Sequence, residues 1–218
     1  DPDYETIVAT IQEHKKKAYE KFQDEITNHE ETGNEQDIID VELQKVKYAC
    51  AILEDASIID TAIQETLGRT KSNQTRIQFY FYQAKYALSI RNFALFSANI
   101  DKLSSLVEKE GDWDARNRYN VYSGLNALLQ GNFTAAAPSF ISVIPTFSST
   151  DIIGLDDAMI LAMYLGVITL SRKDLIEKLV ESPEIIQTLL NHPLEQSFLE
   201  NLYQCHYSQL YASLPQIH

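Results

Sequence analysis

The side chains best suited to do chemistry lie together in Asp112-Trp113-Asp114-Ala115-Arg116-Asn117-Arg118. This stretch holds the only tryptophan and two arginines, in a 218-residue chain with 31 acidic residues against 18 lysines and arginines. A guanidinium is a planar fork that matches a carboxylate, and an indole offers a large apolar face with a single N–H donor. Such a grouping can clamp one helix onto another or present a contact to a second protein. Asp112 is of a type that caps a helix, and Asp114 would fall in the first turn, where the helix dipole favours negative charge. The segment therefore reads as a helix start. Trp113 is expected to bury its ring against the preceding helix. Arg116 and Arg118 are each expected to pair with an acid, locally or across a repeat boundary. Asp112, Trp113, Arg116 and Arg118 are thus the candidates for a structural or partner-contact role.

Catalysis and metal binding find little support, and no cofactor is implied. The five histidines are scattered, without the paired spacing of a metal site. Cys205 and His206 adjoin, but adjacent helical residues point about 100° apart and would not share one ion. A core cysteine beside a surface or hydrogen-bonded histidine is the plainer reading. Cys50 and Cys205 each fall in an apolar helical pattern, which fits reduced, buried thiols of the cytosol or nucleus. The neighbouring acids Asp156-Asp157 and Glu30-Glu31 suit helix ends. There is no glycine-rich phosphate loop and no serine in a nucleophile elbow. The triplet Asn132-Phe133-Thr134 has the form of a glycosylation acceptor, yet its place in a repeat turn already explains it.

Charge narrows the partners. A net charge of −13 opposes binding to nucleic acid or to anionic lipid. The one basic run, Lys15-Lys16-Lys17, is flanked by Glu13 and Glu20 and reads as a solvated helix face. The tyrosines Tyr80, Tyr82, Tyr86, Tyr119, Tyr122, Tyr203, Tyr207 and Tyr211 lack the basic companions of an RNA-stacking surface and are expected to pack between helices. The longest uncharged run, Ala158 to Leu170, is shorter than the roughly 20 residues that span a bilayer. Beginning at Asp1-Pro2, the chain reads as an excised piece of a longer one.

The elements that would position these residues are helices. Seven glycines and six prolines are few for this length and disfavour an all-β fold. Tyr4, Ile7, Val8, Ile11, Ala18, Phe22 and Ile26 recur at three- and four-residue steps, predicting one long helix that ends near Gly33. Ile38, Leu43, Val46, Cys50 and Leu53 mark the inner face of a second. A unit of helix, short polar turn and helix then recurs about every 40 residues, the spacing of paired-helix solenoids. Its turns fall at Glu54-Asp55, Asn92-Phe93, Asn132-Phe133 and Lys173-Asp174-Leu175. The run from Ile77 to Ile90 is apolar on nearly every face, predicting a helix covered on several sides. Pro138 should kink or split the helix around it, while Pro145, Pro183 and Pro193 suit the ends of short helices. Ile144 to Leu155 is the longest connection, with Ser148, Ser149, Thr150 and Asp151 as ready caps. No linker divides the chain, so the expected fold is all-α: one right-handed α-solenoid of TPR-like helix pairs.

Glu110-Gly111 through Arg118, followed by Tyr122-Ser123-Gly124-Leu125, resembles a signature of one PCI-domain family. These are the non-ATPase subunits of the proteasome regulatory-particle lid numbered seven in yeast and six in mammals. Phe147-Ser148-Ser149, Arg172-Lys173-Asp174-Leu175 and Leu202-Tyr203-Gln204-Cys205-His206-Tyr207 resemble its later landmarks, in the same order. The likeness runs from about Asp37 to Tyr211. The chain departs from the pattern at Glu110, usually a second glycine, at Ala115, usually an arginine, and at Pro138. The paralogous first subunit of the COP9 signalosome shares the architecture but matches the tryptophan–arginine segment less well. The resemblance implies N-terminal repeats over 1–109 continuing into the helical half of a PCI domain over 110–218, without the family's winged helix. It further implies a non-catalytic scaffold in ubiquitin-dependent protein degradation, in cytoplasm and nucleus, with other lid subunits and the proteasome base as partners. A PCI subunit of the signalosome or of a translation-initiation complex is the alternative.

Overall fold

The computed structural model describes residues 2–52, 54–147 and 151–216. Among them every regular element is a helix. They fall into two compact units, Asp1–Leu106 and Val107–His218. The division lies inside a helix, a few residues before the expected boundary at 109/110.

The first unit contains α1 (Pro2–Thr32), α2 (Glu35–Ala51), α3 (Ala56–Arg69), α4 (Asn73–Ser89) and most of α5 (Phe93–Glu110). Gly33, at φ 72°, ends α1 by adopting the left-handed conformation that side chains resist. The polar turns cap as their residue types predict. The Asp55 carboxylate accepts the Ser57 N–H at 3.0 Å, Ser72 Oγ accepts that of Thr75 at 3.3 Å, and Asn92 Oδ1 accepts that of Leu95 at 3.1 Å. Val46, Ala49 and Cys50 of α2, Ile59 and Ile63 of α3, and Phe79 and Tyr86 of α4 form one core cluster. Helix α4 is covered on several sides as expected, burying Ile77, Phe79, Phe81, Ala84, Tyr86 and Ala87. Helix α1 departs from expectation. Phe22 and Ile26 pack against Ile38 and Val41, but Ile7 and Ile11 are 57% and 60% exposed, because α1 projects an apolar stripe longer than the surface that covers it. The side chain of Tyr4 and all of Leu53 lie outside the described residues.

A buried carboxylate ties the N-terminal helix to the α2–α3 turn. Glu54 receives Lys15 Nζ at 2.6 Å and the Tyr19 hydroxyl at 3.3 Å, while the Tyr86 hydroxyl donates to the Glu54 carbonyl at 3.0 Å. The Lys15 ammonium holds the Glu54 carboxyl below its ordinary value, against the opposing effect of burial.

The second unit contains α6 (Trp113–Leu129), α7 (Phe133–Val143), α8 (Leu155–Thr169), α9 (Arg172–Leu175), α10 (Pro183–Leu189), α11 (Pro193–Tyr203) and α12 (Tyr207–Ser213). Its core gathers Val121, Ala136, Ala137, Phe140, Val143, Met159, Ala162, Met163 and Leu179. Helices α6 and α7 approach closely at Gly124, where an added Cβ would sit 2.6 Å from the Phe140 ring. The turn between them is capped by Asn132 Oδ1, which accepts the Ala135 N–H at 3.1 Å.

Of the two outcomes expected at Pro138, the split does not occur: helix α7 runs from Phe133 to Val143 with Pro138 inside it. Pro138 sits exposed between the buried Ala137 and Phe140, and core packing holds the turns on either side. At the last repeat turn the cap is Ser171, whose Oγ accepts the Asp174 N–H at 3.2 Å. Lys173 and Asp174 lie within the short α9, which widens into a π turn at Ile176–Val180. Pro183 and Pro193 start α10 and α11, the first-turn position where proline loses no hydrogen bond. Ser148, Ser149 and Thr150 lie outside the described residues, and the residue that precedes α8 as its cap is Gly154.

Candidate interaction sites

Helix α6 starts where the sequence places it. The Asp112 carboxylate accepts the Ala115 N–H at 2.7 Å and caps the first turn. Trp113 is the first residue of that turn, and its side chain is not the buried anchor expected of it: the residue is 60% exposed. The inward positions of α6 belong to Ala115, Asn117, Val121, Tyr122 and Gly124. Trp113 lies off that stripe, at the very end of the helix, and its ring is left to solvent.

The two arginines diverge. Arg116 turns back on the end of α5, its Nε donating to the Gly111 carbonyl at 2.9 Å and a terminal nitrogen to the Glu108 carbonyl at 3.3 Å. The expected acid is replaced by backbone acceptors, since a helix C-terminus presents carbonyls without intrahelical donors and favours a nearby cation. Arg118 does pair with an acid. Its guanidinium forms an ion pair with Asp151, with side chains only 14% and 25% exposed. The same guanidinium lies 5.7 Å from the centre of the Tyr122 ring, and the Tyr122 hydroxyl donates to Asp151 Oδ2 at 3.2 Å. Burial pushes the Tyr122 phenol well above its usual value, so it stays a donor at neutral pH. Beside this cluster Asn117 Nδ2 donates to the Thr146 carbonyl at 3.3 Å. The inward face of α6 thus holds both flanks of the connection between α7 and α8.

Sequence reasoning singled out Arg118 and missed Asp151 and Tyr122 as its companions. The four-residue step from Arg118 to Tyr122 was visible, since such residues share a helix face. Asp151 carried no signal, because its pairing spans 33 positions through an irregular segment.

Other surfaces of the second unit are equally open. A groove of about 740 Å³ runs beside α7, the π turn and α10, with Ala137, Pro138, Ile141 and Leu170 on its apolar walls and Glu177, Glu181 and Glu184 on its acidic ones. The tyrosine stripe divides: Tyr86 and Tyr122 are buried as expected, whereas Tyr203, Tyr207 and Tyr211 are 36%, 53% and 69% exposed. Cys205 is also exposed, contrary to the buried thiol expected, and takes φ 61° in the turn before α12. Arg172 explains this placement by donating to Cys205 Sγ at 3.2 Å and to the Tyr203 carbonyl at 2.5 Å. The Tyr207 hydroxyl and Arg172 hold the Cys205 thiol below its ordinary value, while burial pushes the Cys50 thiol up to about 12. Among the described residues no three His, Cys, Asp or Glu side chains converge as metal ligands, and no helix is long and apolar enough to cross a membrane.

Over 224 residues the chain is 30% identical to the 26S proteasome non-ATPase regulatory subunit 6 homolog of Arabidopsis thaliana, covering 97% of this chain and 58% of that one. It is 30% identical to the subunit 6 of Oryza sativa, covering 88% of this chain and 49% of that one. The regulatory subunit rpn7 of Schizosaccharomyces pombe is 28% identical, covering 90% of this chain and 50% of that one. The chain therefore spans about half the length of the curated relatives it matches. Residues 5–178 match the family described as 26S proteasome subunit RPN7. With most of its length inside that match, the chain belongs to the RPN7 family of 26S proteasome regulatory subunits.

Proposed function

We propose that this chain is the helical arm of a non-catalytic scaffold subunit in the lid of the proteasome regulatory particle, supporting assembly and ubiquitin-dependent degradation. In this reading the chain is built of TPR-like helix pairs, and residues 110–218 are the helical half of a PCI domain. The partners are other PCI subunits of the lid and the ATPase-containing base, in cytoplasm and nucleus. The observation that carries the reading is the family match over residues 5–178. The exposed Trp113 supports a partner contact there, because tryptophans are among the strongest anchors of protein interfaces. Asp112 and Arg118 then serve the fold, and Trp113 and Arg116 lie on the face offered to a neighbour.

Affinity purification of the full-length protein tests this. Lid and base subunits are expected in the eluate, and Trp113→Ala is expected to deplete one neighbour while the protein stays folded. Recovery of signalosome or initiation-complex subunits in their place would reassign the chain to a different PCI assembly.

A further inference from the structure

The first unit holds a basic pocket that the assembly reading does not use. Helices α3, α4 and α5 border an open depression of about 400 Å³ lined by Gln64, Leu67, Arg76, Tyr80, Lys102, Ser105 and Leu106. Two cations face it and no carboxylate lines it, in a chain of net charge −13. The Arg76 guanidinium is under-satisfied. One terminal nitrogen donates to the Thr70 carbonyl at 3.1 Å, while its buried Nε has no acceptor. Among the described residues no Asp or Glu oxygen lies within 4.0 Å of Arg76 or Lys102. Lys102 instead rests 5.3 Å from the centre of the Tyr80 ring. A half-buried guanidinium without an anion keeps its desolvation cost uncompensated, so the site favours an incoming negative charge.

The second unit shows a carboxylate balancing such a guanidinium, whose Nε lacks an acceptor there as in Arg76. Arg76 and Tyr80 stand four residues apart near the start of α4, as Arg118 and Tyr122 do in α6. In α6 the chain supplies Asp151, which meets both the guanidinium and the phenol. In α4 no carboxylate among the described residues plays that part. We infer that the Arg76–Tyr80–Lys102 pocket receives a carboxylate side chain from an acidic segment of a partner protein. Leu67, Leu106 and the Tyr80 ring suit the aliphatic stem of such a side chain, and Arg76 and Lys102 its head. A bare phosphate would leave those apolar walls uncovered.

The inference is independent of the proteasome reading, and the 218-residue chain suffices to test it. The isotope-labelled chain is titrated with an acetylated pentapeptide of alternating leucine and glutamate, with its glutamine counterpart, and with inorganic phosphate. Amide shifts report the site. The glutamate peptide is expected to saturate, moving Gln64, Arg76, Tyr80, Lys102 and Ser105, with at least tenfold weaker binding by the glutamine peptide. Arg76→Met and Lys102→Gln are each expected to weaken the glutamate peptide about tenfold while keeping the parent's helical circular dichroism. Equal binding of both peptides, shifts confined elsewhere, or unchanged affinity in both variants would overturn the site. Phosphate saturating the same residues more tightly than the glutamate peptide would overturn its assignment to a peptide carboxylate.

Discussion

Arg76 in the first unit and Arg118 in the second begin from the same local arrangement and reach opposite outcomes. Each lies near the N-terminus of a repeat's first helix, with a tyrosine one turn further on. Arg118 is closed by Asp151, arriving from an irregular connection, and becomes a structural clamp. Arg76 has a backbone carbonyl and no carboxylate, and remains a receptor for charge. The difference lies in the connection that follows the helix pair. The one after α6 and α7 is long and carries an acid back to α6, while the one after α4 and α5 is only Gly111 and Asp112. In a repeat protein, therefore, the helices define similar places and the connections decide which are filled.

Breaking the closed site should have the largest effect. Asp151→Asn leaves Arg118 largely buried without its counter-charge and is expected to cost about 2–3 kcal/mol in urea unfolding. A loss under about 0.5 kcal/mol, the range of ordinary surface changes, would show that the clamp is not structural.

A second closed charge sharpens the contrast from within the first unit. Glu54 sits depressed in pKa against Lys15, so its stabilisation is complete above the unfolded-state value and is lost as pH falls through the lower folded value. Lys15→Met removes the ammonium that depresses it. The variant should cost about 1–2 kcal/mol at neutral pH and begin acid unfolding at higher pH than the parent. An unchanged acid midpoint followed by circular dichroism would deny Glu54 that role.

The open surfaces should respond least in stability. Trp113→Ala is expected to change unfolding by no more than about 0.5 kcal/mol, where a buried ring would have cost about 3–5. A large drop in melting temperature would mean that the ring is packed after all. Arg116→Ala removes exposed hydrogen bonds to the end of α5 and should cost about 0.5 kcal/mol. Its effect on thermal unfolding should fall below that of Asp151→Asn by several-fold, and parity between the two would collapse the distinction drawn here between the neighbouring arginines.

Much of this molecule was legible in its sequence because the signals are local. Helices α1 and α4, the caps Asp55, Asn92, Asp112 and Asn132, and the proline starts of α10 and α11 all follow from spacing and residue type. Each is fixed by interactions within about one helical turn. The failures share a cause too. Trp113 and Cys205 were assigned to the interior on apolar character, yet one sits on the end of a helix and the other in a left-handed turn. Pro138, expected to kink or split its helix, does not split one that its packed neighbours maintain. In all three, the environment overrode the residue's preference.

The amino-acid sequence by itself determined the helices, their turns, their period and the family. These depend on local hydrogen bonding and on one apolar stripe per helix. The tertiary structure alone decided which charges are closed and which stand open. Whether an arginine clamps the fold or awaits a partner depends on an acid as distant as the 33 positions from Arg118 to Asp151, and no periodicity records where a connection returns in space.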